Sequence, residues 1–305
     1  MNHKIIIKIV ITLGLVIYLL SKLDLNAIYK AFLEINFYFI LLTVPFIVLM
    51  YFIKTQKWNI LLDSINLRIP FYDALKIILI GTFYGALTPG RVGEISRSFY
   101  LDAKKSKTIP TVIFDRILDV FCLLLMSIIS ILIFFNDEYL IYLVILMIAV
   151  FIIGVISITN EKTVSCFFKI LNQNGESEQN YKESMKGIMN NRKVMLYTFS
   201  LTFIYYIFHL FVYWLILKAL NPMLDDRIIL SLPIVVISGF IPISISGLGV
   251  RELVCVTIFE MMNEDPTYGY LFSMILYLLI FLIPGLIGST FTLKKIIHFV
   301  PIEVK

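Results

Sequence analysis

The sequence predicts an all-α polytopic membrane protein, with about six spanning helices and two re-entrant helical hairpins arranged as two inverted repeats. Three observations carry this expectation. The chain of 305 residues is 59% hydrophobic and 15% charged, with a mean hydropathy of +0.91, whereas soluble domains run nearer about 45–50% apolar and about 25% charged. Apolar runs of roughly 17–25 residues recur, the length needed to cross a hydrocarbon core of about 30 Å. Finally, Thr88-Pro89-Gly90-Arg91-Val92-Gly93-Glu94 and Ser246-Gly247-Leu248-Gly249-Val250-Arg251-Glu252 read as versions of one another. Each follows an apolar run, with a Phe seven residues before its first Gly (Phe83 to Gly90, Phe240 to Gly247), although the Gly-to-Glu spacing differs by one.

The elements follow in chain order. The run 5–21 carries Lys4 and Lys8 and has no small-residue cleavage site behind it, so it reads as a retained helix, with Ser21-Lys22-Leu23-Asp24 as a loop. A second span covers 37–54. The shorter run 74–88 ends in the first Gly/Pro break and reads as one arm of a hairpin whose second arm is 92–103. Spans at 117–135 and 139–158 come next. The polar stretch 160–193 forms a connecting loop on the cytoplasmic side. Within it Gln173-Asn174-Gly175-Glu176-Ser177-Glu178 has a flexible composition, flanked by charged segments that read as surface helices. A span at 196–218 precedes the second hairpin, 229–246 and 250–262, and 268–292 closes the series. Full spans are the alternative for the two short segments. The whole chain, 1–305, reads as one membrane domain, with 1–138 the first repeat and 139–305 the second. Three crossings per half set the second repeat upside down relative to the first.

Charge distribution orients this arrangement. With both termini in the cytoplasm, 21 of the 26 Lys and Arg residues fall on cytoplasmic segments, and only Lys22, Lys30, Lys218, Arg227 and Arg251 fall elsewhere. Retention of Lys and Arg on that side sets orientation, which points to a multi-pass protein of the cytoplasmic membrane. The net charge of +5 is too mild to imply nucleic acid. Cys122, Cys166 and Cys255 are scattered without a CxxC pair, so neither a disulfide framework nor a zinc site is expected. No cofactor is implied.

A helix break inside a bilayer leaves backbone groups that protein or water must satisfy. Breaks in corresponding positions of two halves point to a transporter's substrate site near the midplane. Arg91, Glu94 and Arg97 share one helical face, Asp115, Arg116 and Asp119 stand where the third helix starts, and Arg251 and Glu252 are the counterparts in the second hairpin. The expected site is a polar cavity in which Arg91, Arg116 and Arg251 attract an anionic headgroup while Glu94, Asp119 and Glu252 hold the arginines. The planar guanidinium fork suits phosphate, and half-helix N-termini after Gly90 and Gly247 add N–H groups. The bland alternative is a set of loop charges, paired and solvated at the interface. It is preferred for Arg97 and Asp115. For Arg91, Glu94, Arg251 and Glu252 the functional reading is preferred, because charge at membrane depth tends to line a cavity. Pro89, Gly90, Gly93, Gly247 and Gly249 turn the chain. Pro242 and Pro284 read as kinks, His209 as a packed, hydrogen-bonded imidazole, and the 17 Tyr and 25 Phe as mostly bilayer-facing or interfacial.

Three ordered motifs carry a family resemblance: Leu87-Thr88-Pro89-Gly90-Arg91-Val92-Gly93-Glu94, Asp115-Arg116-Ile117-Leu118-Asp119 and Gly247-Leu248-Gly249-Val250-Arg251-Glu252. Together they resemble the membrane domain of lysylphosphatidylglycerol synthases, the flippase-like domain of the multiple peptide resistance factor, and its stand-alone relatives. Asp115 stands where Glu is the commoner residue, and Ser246 where Gly is. The resemblance implies a lipid-translocating domain. In the synthases an appended cytoplasmic domain attaches lysine from charged tRNA to phosphatidylglycerol, and the membrane part moves the product outward. That catalytic domain has no counterpart in this sequence, so synthase activity is not expected.

The leading expectation is flipping of an anionic or aminoacylated phospholipid, or of a lipid-linked sugar, with the membrane lipid as substrate. No P-loop supplies ATP. A second reading is a non-transporting membrane partner of a separate lipid synthase or glycosyltransferase, docking through 160–193. A third, an intramembrane lipid-modifying transferase, lacks a constellation around His209. The oligomeric state is open, a homo-oligomer included.

Overall fold

The computed structural model describes residues 3–134, 138–170, 175–293 and 303–304, and helices dominate them. Helix α1 (His3–Lys22) turns by 87° into the short helix α2 (Leu25–Leu33). Asp24 makes that corner: its backbone is extended and its carboxylate accepts the Asn26 N–H at 2.8 Å, capping α2. Hydropathy alone does not foresee α2. Helix α3 (Phe37–Asp63) runs past the expected end at 54, because Lys54 and Lys57 end an apolar run without ending a helix. Strand β1 (Leu67–Arg68) is followed by α4 (Phe71–Leu87), a 3₁₀ segment (Val92–Tyr100) and α5 (Lys105–Phe134).

Helix α5 starts 12 residues before the expected 117. Asp115, Arg116 and Asp119 therefore lie well inside it rather than at its start. Next come α6 (Glu138–Thr159), α7 (Glu161–Ile170), set at 72° to α6, and α8 (Gly175–Asn190). The expected flexible loop falls partly on 171–174, outside the described residues; from Gly175 onward the chain is helical. Helix α9 (Arg192–Leu220) leads to α10 (Ile228–Ser238), which ends eight residues before the expected 246 and is capped by Gly239. An irregular stretch, 239–249, contains Pro242, which is thus no helix kink. Helix α11 (Val250–Met261) precedes α12 (Pro266–Tyr277), a π-turn (Leu278–Leu282) and α13 (Ile283–Leu293). Strand β2 (Glu303–Val304) pairs antiparallel with β1, Leu67 opposite Val304.

Among the described residues, three helical runs are long and apolar enough to cross a membrane: Phe37–Asp63, Arg192–Leu220 and Pro266–Thr292. Counting the bent pairs α1–α2 and α6–α7 as one span each gives up to 5.

The chain forms two compact units. One comprises Met1–Met50, Leu79–Glu94 and Tyr206–Thr290; the other comprises Tyr51–Ile78, Ile95–Tyr205 and Phe291–Lys305. In the first, α10, α11 and α12 bury Leu232, Val236, Cys255, Phe259, Phe272 and Leu276. Small residues bring α13 against α4: a Cβ on Gly288 would sit 2.1 Å from the Leu79 carbonyl oxygen, so only glycine allows that approach. In the second unit, Trp58, Leu62, Ala74, Ile77, Leu101 and Val112 form one apolar cluster. Leu61, Phe114, Leu118, Val164, Tyr181, Met185 and Ile188 form another, which packs the polar connector onto α3 and α5.

Candidate functional site

The first unit gathers the two paired motifs. At the end of α4, the Thr88 hydroxyl donates to the Tyr84 carbonyl at 2.9 Å and accepts the Gly93 N–H at 2.7 Å. The Arg91 N–H closes a turn on the Thr88 carbonyl at 3.2 Å. Pro89 and Gly90 are its central residues, and Gly90 has φ +60°, as a Pro-Gly turn with left-handed backbone at its third position requires. In the second motif the Leu248 N–H bonds the Ile245 carbonyl at 2.9 Å around Ser246 (φ +53°) and Gly247 (φ +77°). Both central residues are left-handed, as in a primed turn.

These two turns meet. Pro89 and Ile245 form an antiparallel bridge, and the Ser246 N–H donates to the Thr88 carbonyl at 3.3 Å. The Ile245 N–H donates to Thr12 Oγ1 of α1 at 3.1 Å. Backbone groups released by the helix breaks are thereby met by protein. The contact leaves no room for side chains at its centre: a Cβ on Gly247 would lie 2.5 Å from Gly239 Cα, and one on Gly90 3.0 Å from the Phe240 carbonyl oxygen.

Around the turns stand four buried charges. Glu252 is fully engaged: Oε2 accepts the Gly249 N–H at 2.6 Å, and Oε1 accepts Arg251 Nη2 at 2.8 Å and Ser273 Oγ at 3.0 Å. It caps α11 and orients Arg251 together. Arg251 is 0% exposed, and its Nε and Nη1 have no hydrogen-bond partner among the described residues. The Ser244 and Ser246 hydroxyls are buried in the same condition. Its guanidinium carbon lies 4.6 Å from the Tyr277 ring centre. Arg91 is also buried, with φ +56° and its guanidinium carbon 3.6 Å from the Phe281 ring centre and 5.1 Å from that of Phe240. Glu94 is buried against α4, where a Cβ on Gly85 would come within 2.8 Å of its Cγ.

Arg116 and Asp119 belong to the second unit, in a different cluster. Lys57 Nζ lies 2.7 Å from Asp115 Oδ1 and 2.6 Å from Asp119 Oδ1. Arg97 Nη2 donates to Asp115 Oδ2 at 2.8 Å, and Arg116 Nη2 to Asp119 Oδ2 at 3.0 Å. The Trp58 indole N–H donates to Thr111 Oγ1 at 3.1 Å, beside Arg97. The preferred reading of Arg97 and Asp115 as solvated loop charges is therefore corrected: both are 0% exposed. They are paired but not solvated, because α5 begins earlier and carries Asp115 and Asp119 inward on one face. Among the described residues, no group of 3 or more His, Cys, Asp or Glu side chains is placed to hold a metal ion. His209 is buried and shares a 2.8 Å hydrogen bond between Nδ1 and the Tyr213 hydroxyl, a packed imidazole.

Residues 5–288 match the family described as the lysylphosphatidylglycerol synthase TM region. The chain belongs to that family. It is 23% identical to a UPF0104 membrane protein of Methanocaldococcus jannaschii, over 92% of this chain and 92% of the relative. It is 25% identical to a UPF0104 membrane protein of Pyrococcus horikoshii, over 94% and 96%. No solved structure matches it. Apolar helices and family together make this a multi-pass helical membrane protein with a lipid-related setting.

In this member of the synthase TM-region family, sequence reasoning missed several residues of both clusters. Lys57 enters the sequence reading only through the basic-residue bias; its one signal is its place three residues after Lys54 at the end of an apolar run. Phe240, Tyr277 and Phe281 do not stand out in the sequence, since one aromatic among 42 Tyr and Phe carries no local signal. Ser273, on α12, has no motif of its own.

Proposed function

We propose that this protein translocates a lipid with an anionic headgroup across the cytoplasmic membrane, and that Arg91 and Arg251 receive the headgroup. One observation carries the reading most: Arg251 is fully buried, held by Glu252, with Nε and Nη1 still open as donors. A charge at such depth is costly unless paired or used, and N–H groups left without a partner can donate to phosphate oxygens. The buried Ser244 and Ser246 hydroxyls supply further hydrogen-bonding capacity in the same motif. Glu94 and Glu252 balance the two arginines. A bound headgroup then leaves no large net charge behind, which suits a substrate that must also be released. Arg116 and Asp119 brace α3 to α5 through Lys57 in this scheme rather than touching the lipid.

The wider scheme treats the two turn segments as re-entrant arms of inverted repeats, with both termini cytoplasmic and α7 and α8 on the cytoplasmic side. The cargo is an anionic or aminoacylated phospholipid or a polyprenyl-phosphate-linked sugar, since each presents a phosphate. The test is lipid flipping in proteoliposomes, with fluorescent anionic, cationic and neutral lipids quenched from outside by dithionite. Flipping should favour phosphate-bearing anionic lipids and fall by about tenfold or more in Arg251→Gln, the loss expected for removing a charged hydrogen-bond donor. Wild-type protein that flips no lipid in the panel, lipid-linked sugar included, would sink the transport reading in favour of a partner protein for a separate synthase or glycosyltransferase.

A further inference from the structure

The two motif arginines come from segments far apart in sequence, yet both lie over rings of one helix. Arg251 lies over Tyr277 and Arg91 over Phe281, and the two rings are neighbours, their centres 6.3 Å apart and their planes tilted by 31°. The π-turn Leu278–Leu282 begins directly after Tyr277 and contains Phe281; it is closed by the Ile283 N–H on the Leu278 carbonyl. Pro284 follows at once and has no N–H to return the helix to its ordinary register there. Single π-turns inside α-helices occur often at functional sites. This one sets the spacing of two rings that serve two different arginines.

We infer that Tyr277 and Phe281 are positioning residues for the headgroup site, fixing the planes of Arg251 and Arg91; this rests on the function proposed above. A guanidinium laid flat on a ring is supported through its face, so the contact consumes none of its in-plane donors. For Arg251 the ring fixes the plane and Glu252 fixes rotation within it through Nη2, which sets the directions in which Nε and Nη1 can donate. The Tyr277 hydroxyl also reaches the Ala86 carbonyl at 3.5 Å, tying the ring to the end of α4, just before the first turn. For Arg91 the left-handed backbone sets where the side chain leaves, and Phe281 and Phe240 bracket its head. Lysine has no plane to lay on a ring and reproduces neither arrangement.

Double-mutant cycles test this in the full chain. Phe281→Leu and Tyr277→Leu keep apolar bulk and remove the ring, while Phe281→Tyr and Tyr277→Phe keep the ring. In proteoliposomes carrying NBD-labelled phosphatidylglycerol, each Leu variant should slow flipping by about tenfold and each ring-keeping variant by less than about twofold. In Arg91→Ala protein, Phe281→Leu should add less than about twofold, and Tyr277→Leu likewise in Arg251→Ala protein, because the ring acts only through its arginine. A ring that merely fills space would give multiplying losses instead, and that result overturns the inference while leaving transport intact. Thermal melting of the same variants in detergent gives a second cycle that needs no transport. Should wild-type protein flip no lipid, the proposed function fails and this cycle alone decides: non-additive Tm shifts uphold the pairing of ring and arginine, and additive shifts overturn it.

Discussion

Ser246 is the residue whose backbone and side chain disagree with its surroundings. It holds φ +53°, a conformation that costs a non-glycine residue, and its buried hydroxyl finds no partner among the described residues. Both costs vanish with glycine, so Ser246→Gly should stabilise the fold by about 1 kcal/mol, read as a raised midpoint in thermal unfolding. A simultaneous loss of flipping would show the hydroxyl to be kept for the ligand; unchanged stability would mean that the strain is relieved elsewhere. Gly247→Ala should act in the opposite sense. Its Cβ would meet Gly239 Cα at 2.5 Å on a backbone at φ +77°, and a loss of about 2 kcal/mol or more follows from left-handed strain and overpacking together. Protein that melts like wild type would refute the close turn contact. At this scale the sequence was most readable. Pro89, Gly90, Gly247 and Gly249 announce turns by their chemistry, and Glu252 followed from its place beside Arg251. What the motif could not reveal was that Arg91 shares the left-handed backbone of Gly90, since nothing in an arginine's own preferences suggests it.

Among the elements, α3 and α5 are joined by charge. Lys57 sits between Asp115 and Asp119, which lie one turn apart on the same face of α5. Breaking a buried pair from one side leaves its partner uncompensated, so Lys57→Met should destabilise by about 3–5 kcal/mol. Adding Asp119→Leu to Lys57→Met should restore part of that loss, because one stranded carboxylate is then gone. Denaturation midpoints decide; a double variant no better than the single would show that Asp119 is held without Lys57. Hydropathy missed this junction because it scores lysine and aspartate as ends of apolar runs. The charges instead extend the helices inward, satisfied by partners that are distant in sequence. The same blindness hid α2. Leu25, Tyr29, Phe32 and Leu33 form an exposed apolar stripe on a helix set at 87° to α1, too short for a span window but amphipathic at helical spacing. If α1 crosses the bilayer, α2 lies along its surface. A bimane probe on Tyr29→Cys, in a Cys166→Ser background, should be quenched by brominated lipid; a probe quenched only by aqueous iodide would place α2 in water.

For the whole molecule the sequence foretold a helical membrane protein and its family, yet not its division into compact units. Each unit is assembled from three separate stretches of chain, and such pairings leave no periodic trace in a single sequence. Orientation, by contrast, is a sum over many residues, and the bias of 21 of the 26 basic residues predicts that α7 and α8 lie in the cytoplasm with the termini. The three native cysteines allow that orientation to be measured without altering a charge. Cys166 on α7 is exposed, whereas Cys122 and Cys255 are buried. Thiol reactivity needs both access and thiolate, so a membrane-impermeant maleimide should modify Cys166 alone. In sealed right-side-out vesicles the protein should stay unlabelled; in inside-out vesicles it should take up one label, abolished by Cys166→Ser. Labelling from the outer face would invert the molecule. The basic residues on 54–76, 91–116 and 160–193 would then lie outside, against the rule that fixes topology, and the direction in which any headgroup enters the Arg251 site would reverse with them.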